Sequence, residues 1–250
     1  MNSPSRQTRL ELPVRLELSV DSVDAAIAAN SLDVQRIELC SAGALGGLTP
    51  GPGLLDTVLT HCRQVEVHVL IRPRAGDFHY SPTEIEAMIA DVGYAASAGA
   101  AGVVIGALTD HDDPDYLVLT DLTAAAAGCE VTFHRAIDVC RAPLAAIERL
   151  AARGVRRVLS SGQANRAEQG APLLAEMVRV ADGGLAVMAC GGIRAHNARA
   201  VLAATGVDDI HAAPRRTVPA ARKSTVDFGG HAEFDLDEAL ALISAVGAAT

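Results

Sequence analysis

The stretch Val65–Tyr80, VEVHVLIRPRAGDFHY, decides the fold expected for this chain. Its first half is an apolar, β-branched run with alternating side chains, which is typical of a strand, and the proline and glycine that follow prevent continuation of that strand. Charged Arg72, Arg74 and Asp77 gather where the strand ends. In repeated strand–helix units, the residues that carry chemistry collect at the carboxyl ends of strands. The stretch therefore predicts a strand followed by a functional loop.

The same pattern recurs along the chain. Strands are predicted to begin near residues 16, 36, 67, 103, 130, 157, 185 and 210, and a helix is predicted after each of them. Eight strand–helix units in a chain of about 250 residues are typical of a closed barrel. A doubly wound open sheet is the alternative, but its first strand more usually leads into Gly-x-Gly-x-x-Gly, and residues 21–26 read DSVDAA. The predicted fold class is therefore α/β, a single-domain (β/α)8 TIM barrel.

Two segments fall outside this repeat. Residues 1–14 carry no periodic signal and are predicted to be a flexible N-terminal arm, which leaves residues 15–250 for the barrel domain. Residues 214–231 form a polar segment that is long for a connection, and long loops without secondary structure are usually functional or mobile. The sequence leaves three roles open for this segment: a cover over the barrel mouth, part of an oligomer interface, or a disordered loop.

Composition and charge exclude several classes of function. The formal net charge is -9, which disfavours nucleic acid as a partner because affinity for nucleic acid comes from neutralising phosphates. No segment approaches the roughly 20 apolar residues needed to span a bilayer, so we expect a cytoplasmic protein without membrane contact. The chain has 5 cysteines and no Cys-x-x-Cys pair, and these are expected to be free thiols.

Strand parity predicts which side chains face the barrel interior. Successive residues of a strand point to opposite faces, and the large apolar residues are expected to meet the outer helices. The inward set is then Glu17, Glu38, Cys40, Arg72 and His134. Buried carboxylates are costly unless they are paired, so the two glutamates are expected to pair with the arginine or with a metal ion. The alternative is a structural salt-bridge network that plugs the barrel.

Four of the inward residues are predicted to be catalytic. His134 is the best acid–base candidate because imidazole titrates near neutrality, and Glu38, with Glu17 beside it, would exchange protons with it. Arg72 and Arg74 present planar donor forks that suit a carboxylate or a phosphate. Two alternatives stay open: a purely structural role for the histidine, and an arginine committed to one of the buried glutamates.

Glycine-containing turns complete the predicted site. Glycines free backbone amides for anion binding, and the loops after strands seven and eight commonly bind phosphate in barrel enzymes. Any tight turn also uses glycine, so an ordinary turn is the alternative. The predicted substrate-binding residues are Arg74, Asp77, Ser161, Gly162, Gly191, Gly192 and His211.

Several runs, taken in order along the chain, resemble the CutC family, which is named for copper homeostasis. They include RIELCS at 36–41, GGLTP at 46–50, IRPR at 71–74, TFHRA at 132–136 and SSGQ at 160–163. The resemblance implies a TIM barrel, a cytoplasmic location, homodimers or larger homo-oligomers, and a role in copper handling or tolerance.

The resemblance also implies a candidate metal ligand. Some members of the family are proposed to hold copper with cysteines at the ends of the first two strands. Cys40 matches the second of these cysteines, whereas Ser19 stands at the first position. A Cu(I) site usually has two or more sulfur ligands, so the loss of one weakens this assignment. Cys40 is the predicted metal ligand, and a small buried thiol is the alternative.

Two hypotheses of function remain. In the first, the protein is a copper-related binding or homeostasis factor that uses Cys40. In the second, it is a metal-independent barrel enzyme in which Glu38 and His134 exchange protons on a small carboxylate or phosphate while Arg72 holds its charge. The expected partners are therefore a copper ion or a small anion, together with further copies of the same chain.

Overall fold

The computed structural model describes residues 14–219 and 229–247. Apart from Val14, the predicted N-terminal arm lies outside these residues. The strands of the barrel are β1 (Arg15–Val20), β2 (Arg36–Leu39), β3 (Glu66–Leu70), β4 (Gly102–Ile105), β5 (Glu130–Phe133), β6 (Arg157–Ser160), β7 (Ala186–Ala189) and β8 (Asp209–Ala212). The helices are α1 (Val23–Asn30), α2 (Pro52–His61), α3 (Pro82–Ala98), α4 (Tyr116–Ala125), α5 (Pro143–Ala151), α6 (Ala167–Ala181), α7 (Ala198–Thr205) and α8 (Leu236–Gly247).

The strands form a closed barrel in chain order, with β1 hydrogen-bonded to both β2 and β8. All of these pairings are parallel, and a helix follows each strand. The predicted single-domain TIM barrel is confirmed. In this architecture the loops at the carboxyl ends of the strands converge on one mouth.

Local sequence signals set both ends of helix α3. Helix α3 begins at its proline because Ser81 caps it, and the Ser81 backbone N–H donates in return to the Glu84 side chain. The helix ends at Gly99, whose φ of 99° lies in the left-handed region that glycine adopts without a steric cost. Each of these signals depends on a few neighbouring residues, so the sequence alone is enough to predict where α3 begins and ends.

The barrel wall separates an apolar outer layer from a polar inner one. Leu18, Ile37 and Leu39 are buried in the same cluster as Leu55 and Met88 of the surrounding helices. This confirms the predicted strand parity. The alternate positions of the same strands face inward and bring charged groups into the barrel.

The lower half of the barrel interior is filled by a charge network that we call the floor network. It consists of Glu17, Arg36, Glu130, Arg157 and Asp209. Arg36 donates to Glu17 and, at 2.8 Å, to Asp209, whose other oxygen accepts from Arg157 at 2.7 Å. Three of these residues also line a second cavity, of about 360 Å³, beside the amino ends of the strands: Glu130, Arg157 and Asp209. The structural network that the sequence left open as an alternative is therefore present below the mouth.

The structure describes part of the polar segment after β8. An antiparallel ribbon pairs β9 (Arg215–Val218) with β10 (His231–Phe234), and residues 220–228 between them are outside the described part of the chain. The sequence did not predict these strands because charged residues break their apolar pattern. Among the described residues, no helix is both long and apolar enough to cross a membrane.

Candidate functional site

A cavity of about 470 Å³ opens at the carboxyl ends of the strands. Six of the residues predicted from the sequence line it: Glu38, Arg72, His134, Gly191, Gly192 and His211. They come from strands, or from the loops that follow strands, on several sides of the barrel. The structure therefore brings four titratable side chains and two glycines from distant parts of the sequence to one cavity.

Glu38 and His211 are neighbouring titratable side chains in the lining of this cavity. His211 lies between two carboxylates: its Nδ1 is 2.6 Å from Glu17 Oε1, and its Nε2 is 4.0 Å from Glu38 Oε2. Adjacent strands produce this arrangement, because β1 lies between β2 and β8 in the barrel. Glu17 belongs to the floor network as well, so the cavity and the network share a residue.

The proton affinities of these three side chains are strongly perturbed. Burial raises the pKa of Glu38 and outweighs the opposing charge of His211, while the nearby charge of Glu17 reinforces the rise. Burial alone would lower the pKa of His211, but the facing carboxylates of Glu38 and Glu17 outweigh it and the pKa is raised. Burial would raise the pKa of Glu17, yet Arg36 and His211 hold it well below its usual range. Of the two glutamates, Glu38 is therefore the one with the higher affinity for a proton.

Arg72 has no carboxylate within ion-pairing distance in the described ranges. Its terminal nitrogens donate to the backbone carbonyls of Leu45, Gly47 and Gly76 at 2.8–3.1 Å, and its Nε is buried without a partner. The prediction that Arg72 pairs with one of the buried glutamates is wrong, because Arg36 takes that role for Glu17. A buried guanidinium without a counter-charge makes this wall of the cavity electropositive.

His134 differs from its predicted electrostatic behaviour. Its Nδ1 accepts a hydrogen bond of 3.1 Å from the backbone N–H of Ala136, and its Nε2 is buried without a partner among the described residues. Burial lowers the pKa of His134 to about 3, with the charge of Arg72 as the next contribution in the same direction. The expectation that this imidazole titrates near neutrality is wrong, so proton exchange cannot proceed through its charged form at neutral pH.

Three further arginines line the cavity, and the sequence prediction missed them: Arg135, Arg194 and Arg215. Arg135 is held by Asp138 at 2.8 Å and by the hydroxyl of Ser161 at 2.6 Å. Each follows a predicted strand end by a few residues, which is the signal that could have found them. With Arg72 they bring the arginines in the cavity lining to four.

Four predicted substrate-binding residues do not line the cavity. Arg74 is bonded to Asp77 at 3.0 Å and to the capping residue Glu84 at 2.7 Å. Arg74 and Asp77 therefore order the loop before α3. Ser161 is fully buried and bonded to Asp138. Gly162 has a φ of 67° and packs directly on α6, where any Cβ would overlap the backbone. All four residues are therefore engaged in contacts outside the cavity.

The predicted metal ligand Cys40 is buried and does not line the cavity. Its Sγ lies 3.8 Å from Ser19 Oγ and 3.8 Å from the guanidinium of Arg215. Burial, with the neighbouring charge of Glu38, raises the pKa of Cys40 to about 11. Copper binds the thiolate and not the thiol, and a cation next to the sulfur opposes a second cation. These surroundings do not fit a copper–thiolate site.

A different group has the geometry to hold a metal ion. One ligand atom from each of Glu17, Glu38 and His211 lies within 4.8 Å of the others. Carboxylate and imidazole ligands suit divalent ions better than Cu(I), which prefers sulfur. The structure therefore brings together residues that could bind a metal, although Cys40 is not one of them.

The buried neutral His134 predicts acid-sensitive stability. Its folded-state pKa of about 3 lies below the unfolded value of 6.5, so the stability that it contributes is lost as pH falls from 6.5 toward 3. His134→Gln is expected to flatten the dependence of unfolding free energy on pH in this window, by up to about 1.4 kcal/mol per pH unit. Urea unfolding at several pH values measures it, with His61→Gln, an exposed site, as the control. Equal slopes for His134→Gln and the unchanged protein would contradict it.

Comparison with known proteins shows which family the chain is similar to. The sequence model of the CutC family matches residues 14–215. A family protein CutC from Glaesserella parasuis is 40% identical over 198 residues, covering 79% of this chain and 81% of that protein. The human protein named copper homeostasis protein cutC homolog is 42% identical over 202 residues, covering 81% of this chain and 74% of its own.

A solved structure supports the same relationship. The crystal structure of a putative copper homeostasis protein CutC from Streptococcus agalactiae superimposes with a TM-score of 0.74 at 28% identity, covering 79% of this chain and 97% of that one. The region matched by the family model contains all eight strands of the barrel and the residues of the cavity described above, through Arg215. The chain therefore belongs to the CutC family.

Proposed function

We propose that this CutC protein is an enzyme that acts on a small carboxylate or phosphate by acid–base chemistry, with Glu38 as the group that transfers the proton. One observation carries the proposal: a carboxyl with a raised pKa faces a cavity whose wall includes Arg72, a buried guanidinium without a carboxylate partner in the described ranges. Carboxylates tuned toward neutral pH and placed beside fixed positive charge are typical of catalytic sites.

The distribution of charge supports a small anion as the ligand. Glu38 and His211 occupy one side of the cavity, whereas Arg72, Arg135 and Arg194 face it from other loops. Glycines at 191 and 192, with φ of 94° and 73°, allow the chain to turn closely at the same mouth. A cavity of about 470 Å³ holds a metabolite rather than a polymer.

Anion binding tests the proposal directly. Isothermal titration with inorganic phosphate and with oxalate is expected to show binding that weakens at least about tenfold in Arg72→Met, because a charge-assisted hydrogen bond contributes about 1.5–3 kcal/mol. Arg63→Met, at an exposed position on the outer surface, is the matched control. If neither anion binds the unchanged protein, the proposed function fails.

Copper handling is the second candidate, because the human relative is named for copper homeostasis and because the Glu17, Glu38 and His211 group could hold a metal. Titration of the reduced protein with Cu(I) and with Cu(II) under a competing chelator tests it. Stoichiometric binding that is lost in His211→Gln, and kept in Cys62→Ala, supports this role. Absence of binding, or binding that no variant changes, contradicts it.

The cellular setting is also a proposal and rests on the family resemblance. We propose that the protein works in the cytoplasm as a homodimer or a larger homo-oligomer, without nucleic acid or membrane as a partner. The negative net charge of -9 supports the exclusion of nucleic acid. Light scattering of the purified protein tests the oligomeric state, and a monomer at micromolar concentration would contradict it.

A further inference from the structure

His134 has a defined tautomer. A backbone N–H can only donate, so the hydrogen bond from Ala136 to Nδ1 requires that Nδ1 carry a lone pair. In a neutral imidazole the proton is then on Nε2. That Nε2–H is buried beside the cavity and has no acceptor among the residues that the structure describes. A buried unpartnered donor next to a cavity calls for an acceptor on the ligand.

A second donor lies on the same wall. Arg72 Nε is also buried without a partner in the described ranges. Phe78 connects the two groups, because the Arg72 guanidinium lies 5.3 Å from the Phe78 ring centre and the ring centres of Phe78 and His134 are 4.8 Å apart. This wall of the cavity therefore has two hydrogen-bond donors without a described partner, the neutral Nε2–H of His134 and the positively charged Nε–H of Arg72. Both side chains pack against the Phe78 ring.

Close packing restricts the position of the imidazole ring. Gly106, just after the end of β4, leaves the space that the ring occupies, and a Cβ there would overlap it. The ring also caps the short helix that follows it through the bond to Ala136. A donor held in this way needs no reorganisation when charge develops on a ligand oxygen, which is the property of an oxyanion hole.

Glu38 provides the complementary group. It lines the same cavity from β2, with His211 next to it, and no arginine is bonded to its carboxylate in the described part of the chain. A carboxylate on one side and two oxyanion donors on the other match the needs of proton removal next to a carbonyl. A neutral imidazole that donates to a carbonyl oxygen, paired with a glutamate base, is a known solution for this chemistry.

Resting on the proposed function, we infer that the reaction of this site passes through an enolate of a small carbonyl compound that carries a carboxylate or a phosphate. The Glu38 carboxylate takes a proton from the carbon next to the carbonyl. The C–H electron pair forms the new C=C bond, and the carbonyl π pair moves to oxygen, where His134 Nε2–H and Arg72 stabilise the negative charge. Glu38, now a carboxylic acid, returns the proton and regenerates the carbonyl.

Deuterium exchange detects this step without knowledge of the final product. The protein is incubated in D2O with pyruvate, 2-oxobutyrate or dihydroxyacetone phosphate, and loss of the proton signal next to the carbonyl is followed by NMR against a buffer blank. We expect exchange of at least one probe, slowed about 100-fold or more in Glu38→Gln, since general acid–base groups contribute about 10²–10⁴-fold. Exchange that is equally fast in Glu38→Gln overturns the inference.

The role of His134 has its own readout. His134→Gln is expected to slow exchange by at least about 100-fold, the lower side of the loss seen when one oxyanion donor is removed, while affinity for inorganic phosphate changes less than about threefold. Nitrogen-15 NMR of the unliganded protein is expected to show the proton on Nε2 of His134. His61→Gln and Glu176→Gln, at positions outside the cavity, are the matched controls. A proton on Nδ1 overturns the inference even if a variant fails to fold.

The enolate inference and the proposed function fail under different outcomes. If phosphate or oxalate binds and no probe exchanges deuterium, the enolate inference is wrong while the proposed anion site stands. If neither anion binds and no probe exchanges, the proposed function fails as well.

Discussion

Replacing Arg36 with Met is expected to lower the free energy of unfolding by about 3–5 kcal/mol, the cost of removing one partner of a buried ion pair. Arg36 is 0% exposed and is bonded to both Glu17 and Asp209, so its loss leaves two buried carboxylates with less compensation. Asp209 keeps its bond to Arg157, whereas Glu17 keeps only His211 among its described partners. Urea unfolding at neutral pH measures the change.

Two further variants test whether the loss of stability in Arg36→Met comes from the buried charge. Arg63→Met removes an exposed arginine and is expected to change the unfolding free energy by less than about 0.5 kcal/mol. Adding Glu17→Gln to Arg36→Met removes one of the stranded charges and is expected to recover part of the lost stability. If Arg36→Met costs less than about 1 kcal/mol, the floor network does not hold the barrel together electrostatically.

The second large effect is expected from a single methyl group in α6. Gly170→Ala is expected to lower the unfolding free energy by about 3 kcal/mol, the upper part of the range for overpacking. A Cβ at this position would overlap the backbone oxygen of Ser161, which cannot rotate away as a side chain can. The helix would have to move from the loop that follows β6.

Gly93 of α3 is the matched control, because no described residue outside the adjoining turns of α3 lies within 4 Å of the position where its Cβ would be. Gly93→Ala is expected to raise the unfolding free energy by about 0.5–1 kcal/mol, since alanine favours helices more than glycine does. Thermal and urea unfolding of both variants measure the difference. If Gly170→Ala and Gly93→Ala shift the unfolding free energy in the same direction, close packing at Gly170 does not determine the effect of the added methyl group.

The fold was predictable because its signals are local. Strand periodicity, the cap at Ser81 and the glycine at 99 each depend on residues close together in the chain. The ribbon β9–β10 was not predictable in the same way, because its strands are rich in charged and polar residues and are stabilised by pairing with each other. Long-range pairing of this kind leaves little trace in composition.

The site was predictable only in part. Parity correctly brought Glu38, Arg72 and His134 to one cavity, since parity depends only on the strand. Which acid pairs with which arginine depends on the register between strands, and that is why Arg36 rather than Arg72 was found at Glu17. Arg36 was inward by the same parity, so the pattern contained the signal even though its partner could not be deduced from it.

The protonation state or backbone conformation of a residue was harder to predict than its position in the barrel. The sequence suggests an ordinary imidazole at His134, but its proton affinity depends on burial and on a backbone donor two residues later. Likewise, Gly162 is predicted to be an anion-binding glycine, whereas its conformation is needed for contact with α6. Such properties arise from contacts that form only in the folded chain.

The floor network has a consequence beyond holding the strands together. It reaches from Glu130, at the lower opening, through Arg36 and Glu17 to His211, which faces the upper cavity. A continuous series of ion pairs therefore runs along the axis of the barrel, from the lower opening to the upper cavity.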